Sequence, residues 1–257
     1  MSEEYSTFIS RINGKLGIDL TLYKEVQMKR RLTSLRNKRG FLTFDDYFRA
    51  LENHTDLLKE FVDRITINVS EFYRNPKRWH VLESSILPYL MNSKEQVTIW
   101  SAACSTGEEP YSIALLMKEH YPHKNFKILA TDIDENVLVQ ARQGVYKEQA
   151  LKDLPVTMRE KYFKKDQGLY HLDNKIKELV LFKRHNLLSD NYPKKVDLII
   201  CRNVLIYFTD HAKNSIYQHF SNVLNQNGIL FVGSTEQIFT PNRFNFRLLD
   251  TFFYQKI

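Results

Sequence analysis

From about residue 97 to residue 232 the chain alternates short β-branched runs with amphipathic stretches, and this alternation limits the fold more than any other feature. Val97-Thr98-Ile99-Trp100, Phe126 to Thr131, Val196 to Cys201 and Ile229 to Val232 read as strands. Pro110 to His120, Glu135 to Gln143 and Asp210 to Leu224 carry helical spacing between and after them. Strands and helices in this order predict a mostly parallel sheet wrapped by helices, the α/β class. A ligand of such a sheet lies beyond the carboxyl ends of the strands, so the chemistry belongs in the strand-to-helix loops. Gly168 to Leu172 and Glu178 to Phe182 interrupt the pattern and are expected to form a small antiparallel insertion over 164–184.

Ahead of this region, residues from about 5 to 90 read as helical throughout, punctuated by Gly14, Gly17, Gly40 and Pro76. Thr43 followed by Asp45 and Asp46 has the chemistry of a helix start. The organisation expected is a helical domain over 1–75, a linker helix over 76–90 and the sheet domain over 91–257. The length of 257 residues, 43% of them hydrophobic, suffices for one ordinary domain plus a smaller one.

The 8 glycines include no pair spaced as G-x-G-x-x-G or G-x-x-x-x-G-K, which excludes the usual dinucleotide fingerprint and the phosphate loop. The histidines form no H-E-x-x-H, and His120 with His123 has no ligating partner at metal spacing, so no metal is expected. Two cysteines in apolar surroundings and an acidic start, Met1-Ser2-Glu3-Glu4, predict a reduced, cytoplasmic protein without a membrane span. The formal charge of +7 is concentrated: Lys24, Lys29, Arg30, Arg31, Arg36, Lys38 and Arg39 stand against Glu25 alone. Met28, Leu32 and Leu35 form an apolar stripe within that segment, so the cations are either a solvated helix face or a docking surface for an acidic partner.

The first strand runs into Ala102-Ala103-Cys104-Ser105-Thr106-Gly107-Glu108-Glu109-Pro110, where small side chains admit a ligand and Pro110 suits the first helical position. Two glutamates at a helix start would repel phosphate and favour an ammonium or sulfonium charge. The second strand ends in Thr131-Asp132-Ile133-Asp134, and an acid there either holds a ribose diol or caps the next helix. A ligand with a ribose, an amino-acid end and no phosphate is S-adenosylmethionine.

Trp100-Ser101-Ala102-Ala103-Cys104-Ser105-Thr106-Gly107-Glu108-Glu109-Pro110-Tyr111-Ser112-Ile113-Ala114 and Cys201-Arg202-Asn203-Val204-Leu205-Ile206-Tyr207-Phe208 resemble the chemotaxis receptor glutamate methyltransferases, the CheR family. Asn68-Val69-Ser70-Glu71-Phe72-Tyr73-Arg74 and Asn186-Leu187-Leu188 extend the resemblance over nearly the whole chain. It implies a class I, Rossmann-like S-adenosylmethionine-dependent methyltransferase domain behind a small all-helical domain. It implies that Asn68, Ser70, Arg74, Glu109, Asp132, Asn186, Leu187, Arg202 and Asn203 hold the cofactor, with Glu108 as the alternative to Glu109. Arg74 and Tyr207 would lie near the transferable methyl group.

The expected reaction moves that methyl group to a glutamate carboxylate of a methyl-accepting chemotaxis receptor, leaving S-adenosylhomocysteine, in sensory adaptation. The partner is the acidic helical methylation region, docked on Lys29, Arg30, Arg31, Arg36 and Lys38 of the helical domain by a monomeric, cytoplasmic enzyme recruited to membrane receptor clusters. Relatives that grip a receptor tether do so through a glycine-rich loop in the insertion; Lys164 to Leu169 has one glycine, so tether capture is not implied. The alternative, a nucleic-acid methyltransferase, lacks the N-P-P-Y type of motif used on base amines. A catalytically inactive scaffold is at odds with Arg74 and Tyr207 standing beside a full cofactor set.

Overall fold

The computed structural model describes residues 3–257; Met1 and Ser2, which the expected helical domain included, lie outside the described residues. Four helices open the chain: α1 (Glu3–Leu16), α2 (Glu25–Lys38), α3 (Phe44–Asn53) and α4 (Thr55–Thr66). They pack because each buries an aromatic or aliphatic stripe. Phe8 of α1 meets Phe44, Tyr47, Phe48 and Phe61 at ring distances of 4.7 to 6.2 Å. Thr43 caps α3 as its sequence predicts, its Oγ1 accepting from Asp46 N at 3.1 Å.

Helix ends at Thr66. Residues 67–75 are irregular, with Ile67, Tyr73 and Asn75 at φ +44°, +53° and +66°, a break ahead of Pro76 that corrects the reading of residues 5 to 90 as helical throughout. Left-handed backbone at a β-branched residue is strained and breaks a helix. The helix expected over 76–90 is present and runs on to Ser93, packed on the sheet. Helices α5 (Pro76–Val81) and α6 (Leu87–Ser93), joined by a wider π turn, bury Trp79, Leu82, Ile86, Leu87, Leu90 and Met91 against the sheet. Its apolar positions make it a layer of the core, since a solvated linker would leave them in water.

The sheet strands follow as β1 (Gln96–Ala102) and β2 (Asn125–Asp132), with α7 (Glu108–His120) between them and α8 (Glu135–Gln143) after. Next come β3 (Val145–Lys147), α9 (Val156–Tyr162), β4 (Phe163–Asp166), β5 (Leu169–Leu172), α10 (Asn174–Lys177) and β6 (Val180–Arg184). The chain finishes with β7 (Val196–Cys201), α11 (Asp210–Val223), β8 (Leu224–Val232), β9 (Phe246–Asp250) and β10 (Phe253–Lys256). Among the described residues the main sheet has seven strands in the order β6-β2-β1-β7-β8-β10-β9, parallel from β6 to β8 and antiparallel at β10 and β9. The order reverses direction between β1 and β7, which opens a crevice outside their carboxyl ends.

Side chains alternate between the faces as a strand requires. Ile99, Leu198, Ile200, Ile229 and Phe231 face α5 to α8, whereas Trp100, Ile199, Cys201, Leu230 and Val232 face α11 and the helical domain. Both faces are therefore covered, and β7 is buried along its whole length.

The insertion differs from its prediction over 164–184. The hairpin β4–β5 pairs with β3 into a three-stranded antiparallel sheet, so the insertion begins near Val145. Val180 to Arg184 leaves it and pairs in parallel with Ile128 to Asp132 at the edge of the main sheet. Alternating burial at Val180 and Phe182 signals a half-buried strand and does not say which sheet it joins.

Candidate active site

The loop after β1 curls tightly, with Ala103, Ser105 and Gly107 at φ +63°, +49° and +94°. Only glycine fits at 107: an added Cβ would lie 3.0 Å from Ala141 Cβ and 3.1 Å from the Tyr111 ring. Helix α7 starts at Glu108, so Pro110 occupies its third position and not the first as expected. Proline is tolerated there because no backbone partner is yet required within the first turn.

Asp132 ends β2 and is buried at 6% exposure. Its carboxylate accepts from Ser105 N at 2.9 Å and from Asp134 N at 3.1 Å. The cap of α8 is Asp134, which accepts from Asn136 N at 2.9 Å, and this removes the helix-cap alternative for Asp132. Burial pushes the Asp132 carboxyl up to about 6, opposed by its backbone donors. Asp134 also receives Asn68 Nδ2 at 3.1 Å and Thr66 Oγ1 at 3.2 Å, which ties the irregular segment after α4 to the end of β2.

The two glutamates of α7 diverge. Glu108 turns to Thr106 Oγ1 at 2.8 Å, whereas Glu109 faces the crevice with its side chain 12% exposed. Glu109 accepts from Ser101 Oγ at 2.8 Å and lies 3.7 Å from the Arg202 guanidinium. Burial pushes its carboxyl up to about 7, against the pull of Arg202 and Ser101. Arg202 in turn donates to the Arg74 carbonyl at 2.7 Å and lies over the Phe231 ring at 4.8 Å. The Arg74 guanidinium donates to Val69 O at 3.0 Å within its own loop.

These loops enclose a cleft with two lobes. Asn68, Ser70, Arg74, Glu109, Arg202 and Asn203 line the polar lobe. Tyr23, Ile133, His185, Asn186, Leu187 and Phe208 line the second, more apolar lobe. Asp132, Thr66, Ala103, Val204 and Tyr207 belong to both, so the sequence-derived cofactor residues and both candidate catalytic residues meet in one place. The two lobes differ in character, one lined by charged and amide side chains and the other by apolar and aromatic ones, and Asp132 stands where they meet. In the polar lobe Ser105 Oγ and Arg202 Nε are buried without a protein partner among the described residues, which fits a site that completes its hydrogen bonding with a ligand. The polar atoms of the Asn186 side chain are engaged, Nδ2 donating to Gly17 O at 3.0 Å and Oδ1 accepting from Leu188 N at 2.9 Å, so it braces the lobe against the helical domain.

The basic helix separates into two faces. Arg30, Arg31 and Lys38 line an open groove with Arg64 of α4. Lys29 and Arg36 point elsewhere: Lys29 Nζ sits 5.4 Å from the Tyr5 ring centroid and the Arg36 guanidinium 4.6 Å from that of Phe44. Arg31 reaches inward to 5.5 Å from the Tyr207 ring, which connects the groove to the cleft.

Sequence reasoning missed Tyr23, which a single bridge to Phe208 brings from the helical domain into the second lobe. No local signal marks it. It also missed His185 and Glu236; the latter had one, an acid three residues after a glycine at the end of a buried strand.

Residues 68–253 match the family described as CheR methyltransferase, SAM binding domain, and residues 3–66 match CheR methyltransferase, all-alpha domain. A "Chemotaxis protein methyltransferase" of Listeria innocua is 42% identical over 257 residues, covering 100% of this chain and 98% of that protein. One from Borreliella burgdorferi is 38% identical over 250 residues, covering 92% of this chain and 88% of its own. One from Escherichia coli is 32% identical over 232 residues, at 86% and 80% coverage.

Proposed function

The chain belongs to the CheR family of S-adenosylmethionine-dependent chemotaxis methyltransferases, and from that premise we propose that its methyl acceptor is a glutamate side-chain carboxylate of chemotaxis receptors, modified in sensory adaptation. The observation that carries the reading is the junction of cleft and groove, where Arg31 spans from the cationic face of α2 to the ring of Tyr207. An acidic receptor helix lying on Arg30, Arg31, Lys38 and Arg64 would present its glutamates at the mouth of the cleft. The enzyme would thus work at membrane receptor clusters through contact with the receptors; no helix among the described residues is long and apolar enough to cross a membrane.

Asn68, Ser70, Arg74, Glu109, Arg202 and Asn203 would hold the amino-acid end of the cofactor, Asp132 the ribose hydroxyls, and Asn186 and Leu187 the base. The cofactor supplies a sulfonium methyl group. A glutamate is ionised near neutrality, its ordinary pKa being about 4.3, so the acceptor needs no general base. Bound beside the acceptor, the cofactor would supply its methyl group to the carboxylate oxygen and its sulfur would keep the carbon–sulfur electron pair, so that both charges would be neutralised. Exclusion of water favours that neutralisation. Alignment of oxygen, carbon and sulfur can contribute up to about 7 to 11 kcal/mol, so positioning by Arg74 and Tyr207 is the main task of the protein.

Product chemistry tests the reading. With labelled cofactor and a receptor cytoplasmic fragment, mild alkali should release volatile labelled methanol from protein, because hydroxide cleaves a methyl ester. Alkali-stable label in nucleic acid, with none released from protein, would overturn it and assign the groove to phosphate contact.

A further inference from the structure

The loop after β8, Gly233-Ser234-Thr235-Glu236, buries a carboxylate directly behind the cleft. Glu236 is 5% exposed and lines neither lobe. Its Oε2 accepts from the backbone N–H of Asn203 at 2.7 Å and of Gly233 at 2.8 Å. Its Oε1 accepts from Leu205 N at 2.7 Å and Ile206 N at 3.3 Å. Three of the four donors belong to the segment between Arg202 and Tyr207, the segment that supplies Arg202, Asn203, Val204 and Tyr207 to the polar lobe.

That segment needs an external acceptor. Asn203 is left-handed at φ +62°, and a single short 3₁₀ turn covers Leu205–Tyr207, so most of its N–H groups have no place in a helix or sheet ladder. A carboxylate offers about four lone-pair sites on two oxygens, which suits four converging donors as no neutral side chain does. The fit depends on Gly233 as well. A Cβ there would stand 2.4 Å from Glu236 Oε2 and 2.9 Å from Asn203 N. Glu236 also adds negative potential beside Arg202 and Glu109, both of which line the polar lobe.

We infer that Glu236 is a positioning residue for methyl transfer: it fixes the loop so that the Asn203 side chain and the Tyr207 ring stand in the cleft, and it touches neither cofactor nor acceptor. The inference rests on the reading of Tyr207 as the group that orients the acceptor. A purely structural prop would instead lower stability without acting through Tyr207.

The test is a double-mutant cycle on the full chain, with turnover and receptor KM from labelled S-adenosylmethionine, cofactor affinity by calorimetry and melting temperature. Glu236→Gln keeps the shape but turns an NH2 group toward N–H donors. It should lower turnover by about tenfold or more in the wild-type background and by less than about threefold in the Tyr207→Phe background, since both changes would disable one unit. Equal factors in the two backgrounds, or wild-type turnover in Glu236→Gln, would overturn the inference while leaving Tyr207 in its role. Wild-type turnover in Tyr207→Phe alone would overturn the reading of Tyr207 and this inference with it. Should Glu236→Gln fail to fold, Gly233→Ala displaces the carboxylate without removing it, and the same comparison of backgrounds decides.

Discussion

The cofactor cleft and the groove on α2 are neighbours built in opposite ways. The cleft draws side chains from the loops after α4, β1, β2, β6 and β7, most of them buried or half-buried. The groove takes its cations from one helix and Arg64, with Arg30, Lys38 and Arg64 exposed. Desolvation governs the first, raising Glu109 to about 7 and Asp132 to about 6, so each group there depends on its neighbours. Water and salt screen the second, so its contributions should be small, roughly additive and sensitive to ionic strength.

The sharpest way to break this contrast is Asp132→Ala. Two ribose hydroxyls would lose a charged acceptor, and at about 1.5 to 3 kcal/mol for each bond the affinity for S-adenosylmethionine should fall by about 100-fold or more. Calorimetry measures it. An affinity within about threefold of wild type would show that Asp132 only braces Ser105 and Asp134.

Tyr207→Phe should lower turnover by about 10- to 100-fold and cofactor affinity by much less, the pattern of a group acting mainly during transfer, whereas Arg74→Ala, at the amino-acid end of the cleft, should lower both. Single-turnover kinetics beside cofactor titration separates the two quantities. A loss confined to cofactor binding would make Tyr207 part of the cofactor seat and leave Arg74 with that role alone.

Protonation tests desolvation in the cleft. In the free protein Asp132 and Glu109 hold protons up to about 6 and about 7, whereas in the unfolded chain both lose them near 4. The stability of the free protein therefore declines, from these groups, as pH rises from about 4 to about 7. On the proposed seating the ribose and ammonium of the cofactor would select the ionised forms, so cofactor affinity should rise with pH, by up to about 100-fold from pH 5.5 to 7.5. The rise in melting temperature on adding S-adenosylmethionine should grow with pH accordingly. A pH-independent shift would place both carboxylates outside the cofactor contacts.

In the groove, Arg30→Glu with Lys38→Glu should raise receptor KM by about 5- to 10-fold at low salt, with the gap closing as salt is added and cofactor affinity unchanged. Arg31 is left in place because it also packs on Tyr207. An unchanged KM and salt dependence would reduce the face to solvated charge. The smallest effect belongs to Arg36→Ala on the opposite face, which should cost about 0.5 to 1 kcal/mol of stability through its contact with Phe44 and leave receptor KM alone.

The sequence made β1, β2, α8 and β7 legible because period and β-branching are local, and their predicted bounds agree with the structure to within about two residues. Glu108 versus Glu109 was open in the sequence and is separated in space by rotation about α7, where one residue turns a side chain through about 100°. β9 and β10 went unread because they are short and carry exposed Leu248 and Leu249 outside the alternating pattern.

Period and propensity on their own determined an α/β domain with a helical front, and the resemblance of its motifs to the CheR family identified the methyltransferase. Only the tertiary structure decided which charges are shared. It placed Tyr23 of the helical domain against Phe208, sent Arg31 to Tyr207 and Lys29 and Arg36 to the buried rings of Tyr5 and Phe44, moved Val180 to Arg184 from the insertion into the main sheet, and set Glu236 under the 203–207 loop. The reason is physical. Period and propensity act over a turn or a strand, whereas the partner of a buried charge or the neighbour of an edge strand is chosen by packing between segments tens to hundreds of residues apart, and no local pattern records that choice.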